Sequence, residues 1–133
     1  MGDDGEITAL GAAIELADVD PKASDPEAIL EADIFQRHVM LSPVTEGADV
    51  AGVTLRLRVN GEDVPGADDV TEATGDLAEL VRHVATTLKA AGESLERGDM
   101  VICGSIVPAL EIAPGDEVEV RLEPLGVLAV SFE

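Results

Sequence analysis

The chain has 133 residues, a length typical of one domain, and 46% of them are hydrophobic, which argues against a disordered chain. Its 8 basic and 28 acidic residues give a net charge of −20, so direct binding to nucleic acid is not expected. Aromatic residues make up 2%, which nearly excludes stacking platforms for bases or sugars and leaves Val, Leu, Ile and Ala to form the core.

The single cysteine, Cys103, excludes an internal disulfide framework and a multi-cysteine metal site. The N-terminal segment, residues 1–8, is acidic and contains no apolar run typical of a signal peptide. Glu6 stands at the position where a myristoylation motif has Ser or Thr. No apolar stretch is long enough to span a bilayer. We therefore expect a soluble cytoplasmic protein that does not bind membranes.

The carboxylates are spread along the chain rather than collected in a tail. Like charge of this density opposes a compact fold, and salt screens it beyond about 8–10 Å at roughly 0.1–0.15 M. A halophile's salt-rich cytoplasm is one setting for such a surface, and an ordinary acidic protein is the other. The first interpretation predicts a fold that is more stable in molar KCl.

The first segments in chain order predict a strand, a loop and a short helix. The apolar run Leu10–Ala17 predicts the strand, and residues 18–26 form a loop rich in Asp and Pro. Asp25 followed by Pro26 is typical of a helix start, and this helix is expected to reach residue 30 or 31.

The next segments predict strands. Ile34–Leu41 can form one, and residues 52–59 alternate apolar with polar side chains, the period of a half-buried strand. The dipeptide Asn60-Gly61 predicts a tight hairpin turn, because both turn positions need a positive φ. The partner strand is expected over residues 62–64, with Pro65 limiting its length.

The clearest helix covers residues 77–91. Asp76 stands at its cap position, Glu79 follows three residues later as in a capping box, and Gly92 fits the position that ends a helix. The helix has one apolar face, which we expect in the core: Leu77, Leu80, Val81, Val84, Ala85, Leu88 and Ala91.

The C-terminal third predicts three more strands, separated by turns. Met100–Cys103 is expected to be buried, residues 118–122 alternate in strand period, and Val127–Phe132 closes the chain. No linker or repeat interrupts the sequence, so residues 1–133 are expected to form a single domain.

A long series of segments carries a family resemblance. It comprises the Val53–Val59 strand with its Asn-Gly turn, Thr74-Gly75, the amphipathic helix, LERGD, MVICGSIVPALEIAPGD and EVEVRLEPLGVLAVSF. Their order and spacing resemble the C-terminal part of the fumarylacetoacetate hydrolase superfamily, closest to the 2-keto-4-pentenoate hydratase and 4-oxalocrotonate decarboxylase group. AAIELAD, residues 12–18, resembles a further family segment at the right distance upstream. The resemblance covers nearly the whole chain.

The resemblance implies an α+β fold in which a β-rich mixed, rolled sheet wraps around one amphipathic helix. It also implies a hydratase or lyase site for 2-oxo acids with Mg²⁺ or Mn²⁺, a hard cation that prefers oxygen ligands and can polarise such a substrate. Glu15 matches a metal ligand of the family. The candidates for substrate binding are Gly75, Cys103, Gly104 and Ser105, with Cys103 standing where the family has a threonine.

The family's Glu-x-Glu ligand pair and catalytic lysine have no counterpart in this sequence. Three interpretations are open: a metal-dependent hydratase-like enzyme, a reduced non-catalytic member that serves as a scaffold or partner subunit, and a fragment of a longer enzyme. Because family members form oligomers, a homo-oligomer or a partner subunit is expected, and a partner could supply the absent carboxylates.

Each candidate residue also has a plainer interpretation. Glu15 can point outward to water instead of holding a metal, and Asp18 and Asp20 can add oxygen ligands or form a solvated loop. Cys103 can be a small buried hydrophobic residue rather than a nucleophile.

The glycines and two arginines have alternatives as well. Gly75 and Gly104 can border a ligand or simply supply an unusual φ. Arg56 and Arg58 can meet an acidic neighbour, an anionic substrate or solvent.

Overall fold

The computed structural model describes residues 6–18 and 25–133, and Asp20 and most of the acidic loop predicted around it lie outside this part. The described chain is rich in sheet and has one main helix. Its elements are β1 (Ala9–Leu10), β2 (Ala13–Ala17), α1 (Pro26–Glu31), β3 (Gln36–Leu41), β4 (Thr45–Glu46), β5 (Thr54–Val59), β6 (Glu62–Ala67), α2 (Thr71–Thr74), α3 (Leu77–Ala90), β7 (Glu117–Glu123) and β8 (Gly126–Ser131).

A four-stranded antiparallel sheet in the order β6-β5-β7-β8 forms the centre of the fold. Its inner face is apolar because apolar and polar residues alternate in the sequence, and successive side chains of a strand point to opposite faces of the sheet. Leu55 and Leu57 are buried on β5, whereas Arg56 and Arg58 between them are exposed, as the alternation predicts. The buried residues that pack together are Ala12, Val53, Leu55, Leu57, Val70, Val118, Val120, Leu122 and Leu125.

The predicted hairpin turn joins β5 to β6. Asn60 has φ 53° and Gly61 has φ 80°, as the expected turn requires. The Asn60 side chain adds a long-range tie, because its amide donates to Asp116 Oδ1 at 2.9 Å and its oxygen accepts the Glu117 N–H at 2.9 Å. The turn is thereby fixed to the start of β7.

The prediction that Pro65 ends the partner strand is wrong, since β6 continues to Ala67. Leu57 pairs with Val64 and Leu55 with Ala67, so Pro65 and Gly66 together stand opposite Arg56 in a bulge. A proline is tolerated there because β6 is an edge strand that needs no donor on its outer side. Gly66 is required for close approach, since a Cβ would overlap the Leu55 carbonyl oxygen.

The remaining strands form two small antiparallel pairs, β1 with β4 and β2 with β3. The predicted strand Leu10–Ala17 is interrupted at residues 11–12, and α1 begins as expected, with Asp25 Oδ1 accepting the Glu27 N–H at 3.2 Å. The predicted strand Ile34–Leu41 starts two residues late, because the preceding 3₁₀ turn holds Ile34 at φ 53° and Phe35 at φ 66°.

Helix α3 is capped as predicted. Asp76 Oδ1 accepts the Glu79 N–H at 3.0 Å, Ala91 is the C-cap, and Gly92 follows. Its apolar face is less buried than expected: Leu77 and Val81 are buried, most of the face is half-buried, and Ala91 is exposed. The hydrophobic core of the sheet contains no α3 residue among those the structure describes.

Residues 93–116 contain no helix or strand, so the predicted buried strand Met100–Cys103 is wrong. Met100 is 68% and Ile102 42% exposed, whereas Val101 and Cys103 are half-buried. The apolar sequence favours an extended segment, but a strand also needs a neighbour for its backbone groups. No strand of the described chain pairs with this segment.

Candidate functional site

Glu15 lies on β2 with its side chain exposed, between the half-buried Ile14 and Leu16. It stands opposite Val39 of β3, and Ile14 packs against the core of the sheet. The carboxylate is therefore on the outer side of the β2–β3 pair. Asp18, also exposed, donates its N–H to the Phe35 carbonyl at 3.0 Å.

A metal ion held by protein side chains alone needs several of them close together. Within residues 6–18 and 25–133, no three His, Cys, Asp or Glu side chains are placed to hold one. The described carboxylates therefore do not fit the complete divalent-metal site implied by the resemblance. Glu15 is accessible as one ligand of such a site.

The three candidates at residues 103–105 lie in the irregular stretch before β7. Cys103 is half-buried, with its Sγ 3.7 Å from the Val101 carbonyl oxygen, and Ser105 is exposed. Burial raises the pKa of the Cys103 thiol, which keeps it protonated at neutral pH. Because the thiolate is the nucleophilic form, this environment does not activate Cys103 for covalent catalysis.

Gly75 and Gly104 both adopt conformations that favour glycine, with φ of 65° and 83°. Gly75 ends α2, and a Cβ at either glycine would meet no atom within 4 Å. The space beside them is thus open, and their role beside a substrate stays a prediction. Within the described part of the chain, neither glycine forms a hydrogen bond with Glu15.

A residue that sequence reasoning missed is Ser42, the buried polar side chain at the junction of β2, β3 and β8. Only 6% of the surface of this residue is exposed. The Ser42 Oγ accepts a hydrogen bond from the Ala12 N–H at 2.9 Å and donates one to the Pro43 carbonyl at 2.8 Å. A Cβ on Gly126 would lie 3.1 Å from the same Oγ. Ser42 therefore ties the residue before β2, the strand that carries Glu15, to the end of β3, and it lies next to the start of β8. A lone serine before proline gives no sequence signal for this role.

Ser42→Ala is expected to lower the free energy of unfolding by about 1–3 kcal/mol, because the buried Ala12 N–H loses its acceptor. Urea denaturation followed by circular dichroism measures the change. Ser131→Ala is the matched control, since Ser131 is an exposed serine on β8 and its loss should change stability by less than about 0.5 kcal/mol. Equal effects of the two substitutions would contradict the structural role of Ser42.

The outer face of the central sheet carries a groove of about 310 Å³ lined by Arg56, Arg58 and Arg121. Each arginine is exposed and also meets an acidic neighbour, so for Arg56 and Arg58 two of the alternatives left open by the sequence hold together. Arg58 Nε lies 2.6 Å from Asp63 Oδ1, Arg121 Nε 2.8 Å from Glu119 Oε1, and Arg56 Nη1 2.8 Å from Asp68 Oδ1.

Two of these pairs also shift a pKa. The hydrogen bond from Arg121 lowers the pKa of Glu119, and the hydrogen bond to Asp63 raises that of Arg58. Both groups therefore stay ionised at neutral pH. Since the guanidinium groups of the groove are engaged with carboxylates, they do not form a free anion site.

No helix in the described part of the chain is long and apolar enough to cross a membrane. This agrees with the short apolar runs of the sequence.

Comparison with known proteins supports the resemblance. Residues 13–133 match the model of the family described as Fumarylacetoacetate (FAA) hydrolase C-terminal. A curated relative, the 2-hydroxyhexa-2,4-dienoate hydratase of Comamonas testosteroni, is 29% identical over 84 residues. The matched region is 63% of this chain and 31% of the relative, so the similarity covers less than a third of that enzyme.

Proposed function

The chain belongs to the fumarylacetoacetate hydrolase family, and from this membership we propose that it is a hydratase-like domain that binds 2-oxo acids. The observation that carries the proposal is the family match over residues 13–133, which includes Glu15 and all the substrate-side candidates. The hydratase relative supports the reaction class, the addition of water to an enol-derived double bond.

The proposal includes Mg²⁺ or Mn²⁺ as the cation, with Glu15 as a ligand. Because the described carboxylates do not complete such a site, further oxygen ligands must come from elsewhere. Asp20, which lies outside the described residues, is one source, and a second polypeptide or the rest of a longer enzyme is another. The exposed position of Glu15 on β2 leaves its carboxylate open to either.

The finer architecture implied by the family, a sheet rolled around the amphipathic helix, is part of the same proposal. The burial of Leu77 and Val81 supports a packed position for α3. The half-buried remainder of its apolar face leaves room for further contacts when the site is completed.

A second candidate function is a non-catalytic family member that acts as a scaffold or partner subunit. The observation that favours it is the absence of a metal-binding group of side chains in residues 6–18 and 25–133. Such a domain would keep the fold of the family without binding metal or 2-oxo acids.

Metal binding separates the two candidates. Mn²⁺ is titrated into the purified protein by calorimetry in about 1 M KCl, with and without oxalate as an enolate mimic. The hydratase-like domain should bind Mn²⁺ with an affinity at least tenfold higher when oxalate is present. Absence of heat in both titrations would contradict a metal site formed by this chain alone, and would leave the scaffold or a domain completed by a second polypeptide or by the rest of a longer enzyme.

Glu15→Gln is expected to weaken oxalate-dependent Mn²⁺ binding at least tenfold, because the amide cannot supply a charged oxygen to the cation. Glu46→Gln is the matched control, since Glu46 is an exposed strand glutamate on β4 and its loss removes the same charge. Unchanged affinity in Glu15→Gln, or an equal loss in both variants, would remove Glu15 from the site.

A further inference from the structure

Asn60 is the only asparagine of the sequence, although aspartate and glutamate together number 28. Aspartate before glycine suits the same kind of turn, so the turn alone does not explain an asparagine at this position. The side chains differ in hydrogen bonding, because an amide both donates and accepts whereas an ionised carboxylate only accepts. An asparagine at residue 60 is therefore to be understood from its contacts.

The Asn60 amide is held at both of its polar atoms. Its Nδ2 donates to Asp116 Oδ1 at 2.9 Å, and its Oδ1 accepts the Glu117 N–H at 2.9 Å. The hydrogen bond from Asn60 lowers the pKa of Asp116, which keeps that carboxylate ionised at neutral pH and makes it a strong acceptor. A carboxylate at residue 60 cannot donate to Asp116 and would place a second negative charge beside it.

The neighbouring Gly61 leaves its backbone nitrogen available for reaction. Gly61 is exposed, and no hydrogen bond in the described part of the chain engages its N–H. A Cβ at this residue would meet no atom within 4 Å, so the space beside it is open. Glycine also has no side chain of its own to shield the nitrogen. A thermolabile residue, asparagine, therefore precedes an accessible backbone nucleophile.

We propose that Asn60 is a site of spontaneous deamidation, that its bonds to Asp116 and Glu117 keep the reaction slow in the folded chain, and that the reaction releases the β5–β6 turn from β7. The Gly61 nitrogen forms a bond to Asn60 Cγ, the Cγ–Nδ2 bond breaks, and the Gly61 proton leaves with Nδ2 as ammonia. Water then opens the resulting succinimide at either carbonyl carbon, which leaves aspartate or isoaspartate at residue 60. Water is the co-reactant, and nothing is oxidised or reduced.

The hydrogen bonds slow the reaction through the positions that they fix. Ring closure requires Asn60 Cγ to turn toward the Gly61 nitrogen, and the side chain cannot turn while Nδ2 and Oδ1 are bound to Asp116 and Glu117. Departure of Nδ2 as ammonia also breaks its bond to Asp116. Local opening of the turn must therefore precede the reaction.

The product cannot restore the contact that held the asparagine. Aspartate and isoaspartate both carry a carboxylate, which cannot donate to Asp116 and adds a negative charge to a chain whose net charge is already −20. Isoaspartate also lengthens the backbone of the turn by a methylene group. Deamidation thus converts a turn that is fixed to the start of β7 into one that is repelled from it.

Ageing of the intact chain tests the protection of Asn60. The protein is kept at about 37 °C and pH 8, and peptide mass spectrometry follows the replacement of the residue 60 amide by a carboxyl group. The rate should be at least tenfold higher in guanidinium chloride than in the folded chain. Asp116→Ala frees Nδ2 and should raise the rate in the folded chain at least fivefold. Asp69→Ala is the matched control, with an expected change of less than twofold, since Asp69 also accepts a backbone N–H in a turn, from Thr71.

Ser42→Ala separates release of the amide from general loss of stability. Ser42 bonds to Ala12 and Pro43 rather than to the turn, so this variant is destabilised with the contacts of Asn60 intact. Its deamidation rate should stay within twofold of the wild-type rate. Asp116→Ala should exceed both, because it removes the acceptor that holds Nδ2.

Asn60→Asp reproduces one product and tests the release of the turn. Hydrogen–deuterium exchange at the Glu117 amide should be at least fivefold faster than in the wild type, because the carboxylates at residues 60 and 116 repel each other. The double variant Asn60→Asp with Asp116→Asn is the matched control. Its amide at residue 116 can donate to the carboxylate at residue 60, with the same number of charges as the wild type, so exchange should return to within twofold of the wild-type rate.

The proposal fails on any of three results. One is an intact Asn60 in both the folded wild type and Asp116→Ala after a time in which the chain in guanidinium chloride is deamidated. Another is an equal acceleration in Asp116→Ala and Ser42→Ala, which would attribute the protection to overall stability. The last is a Glu117 exchange rate that Asn60→Asp leaves unchanged or that the double variant does not restore. Neither a metal nor a 2-oxo acid takes part, so these results are independent of the proposed function.

Discussion

Leu57→Ala is expected to lower the free energy of unfolding by about 2–5 kcal/mol, through lost burial and the cavity left behind. Leu57 is 5% exposed and lies in the middle of β5, the strand with β6 on one side and β7 on the other. It stands opposite Val64 and Val120, and the latter packs in the same core. A core built from small aliphatic side chains has few groups that can move in to fill the space. Urea denaturation in 1 M KCl measures the loss.

Arg58→Ala on the same strand is the control for this prediction. Arg58 is exposed, and its ion pair with Asp63 is solvated, so its removal should change stability far less than the loss of Leu57. An equal loss in both variants would contradict the assignment of one buried and one exposed face to the sheet.

The best sequence predictions concern features decided by neighbouring residues. The Asn60-Gly61 turn, the Asp76 cap and the alternation along β5 depend on local conformation and side-chain period, and the structure confirms each of them. The α+β composition follows from these local features. Residues 13–133 then match the same family that the motif order indicates.

The predictions that failed concern features decided by distant residues. Met100–Cys103 has the composition of a buried strand, but composition does not show whether another strand lies alongside. Pro65 would end a central strand, yet the edge position of β6 depends on the order of strands in the whole sheet. Ser42 acquires its role only when β2 and β8 meet around it.

The candidate site shows the same difference between features decided by neighbouring residues and features decided by distant ones. Glu15 was found through its match to a family segment, and the structure adds that its carboxylate is exposed on β2. The sequence offers Asp18 and Asp20 as further ligands, but no group of three His, Cys, Asp or Glu side chains that could hold a metal forms within the described residues. The position of a single ligand can be predicted from a motif, whereas a metal site depends on several segments meeting in space.

Raising KCl from about 0.05 M to 2 M at pH 7.5 is expected to raise the melting temperature by at least about 5 °C, because screening weakens repulsion in the compact state. The net charge of −20 is the source of this repulsion, and the sequence pI of about 4.1 supplies the control. Near pH 4.1 the net charge approaches zero, so the same KCl series should shift the melting temperature much less. Measurement at about 2 µM protein limits any contribution from dimerisation. A melting temperature that is flat or falls with KCl at pH 7.5 would show that self-repulsion does not limit the stability of this fold.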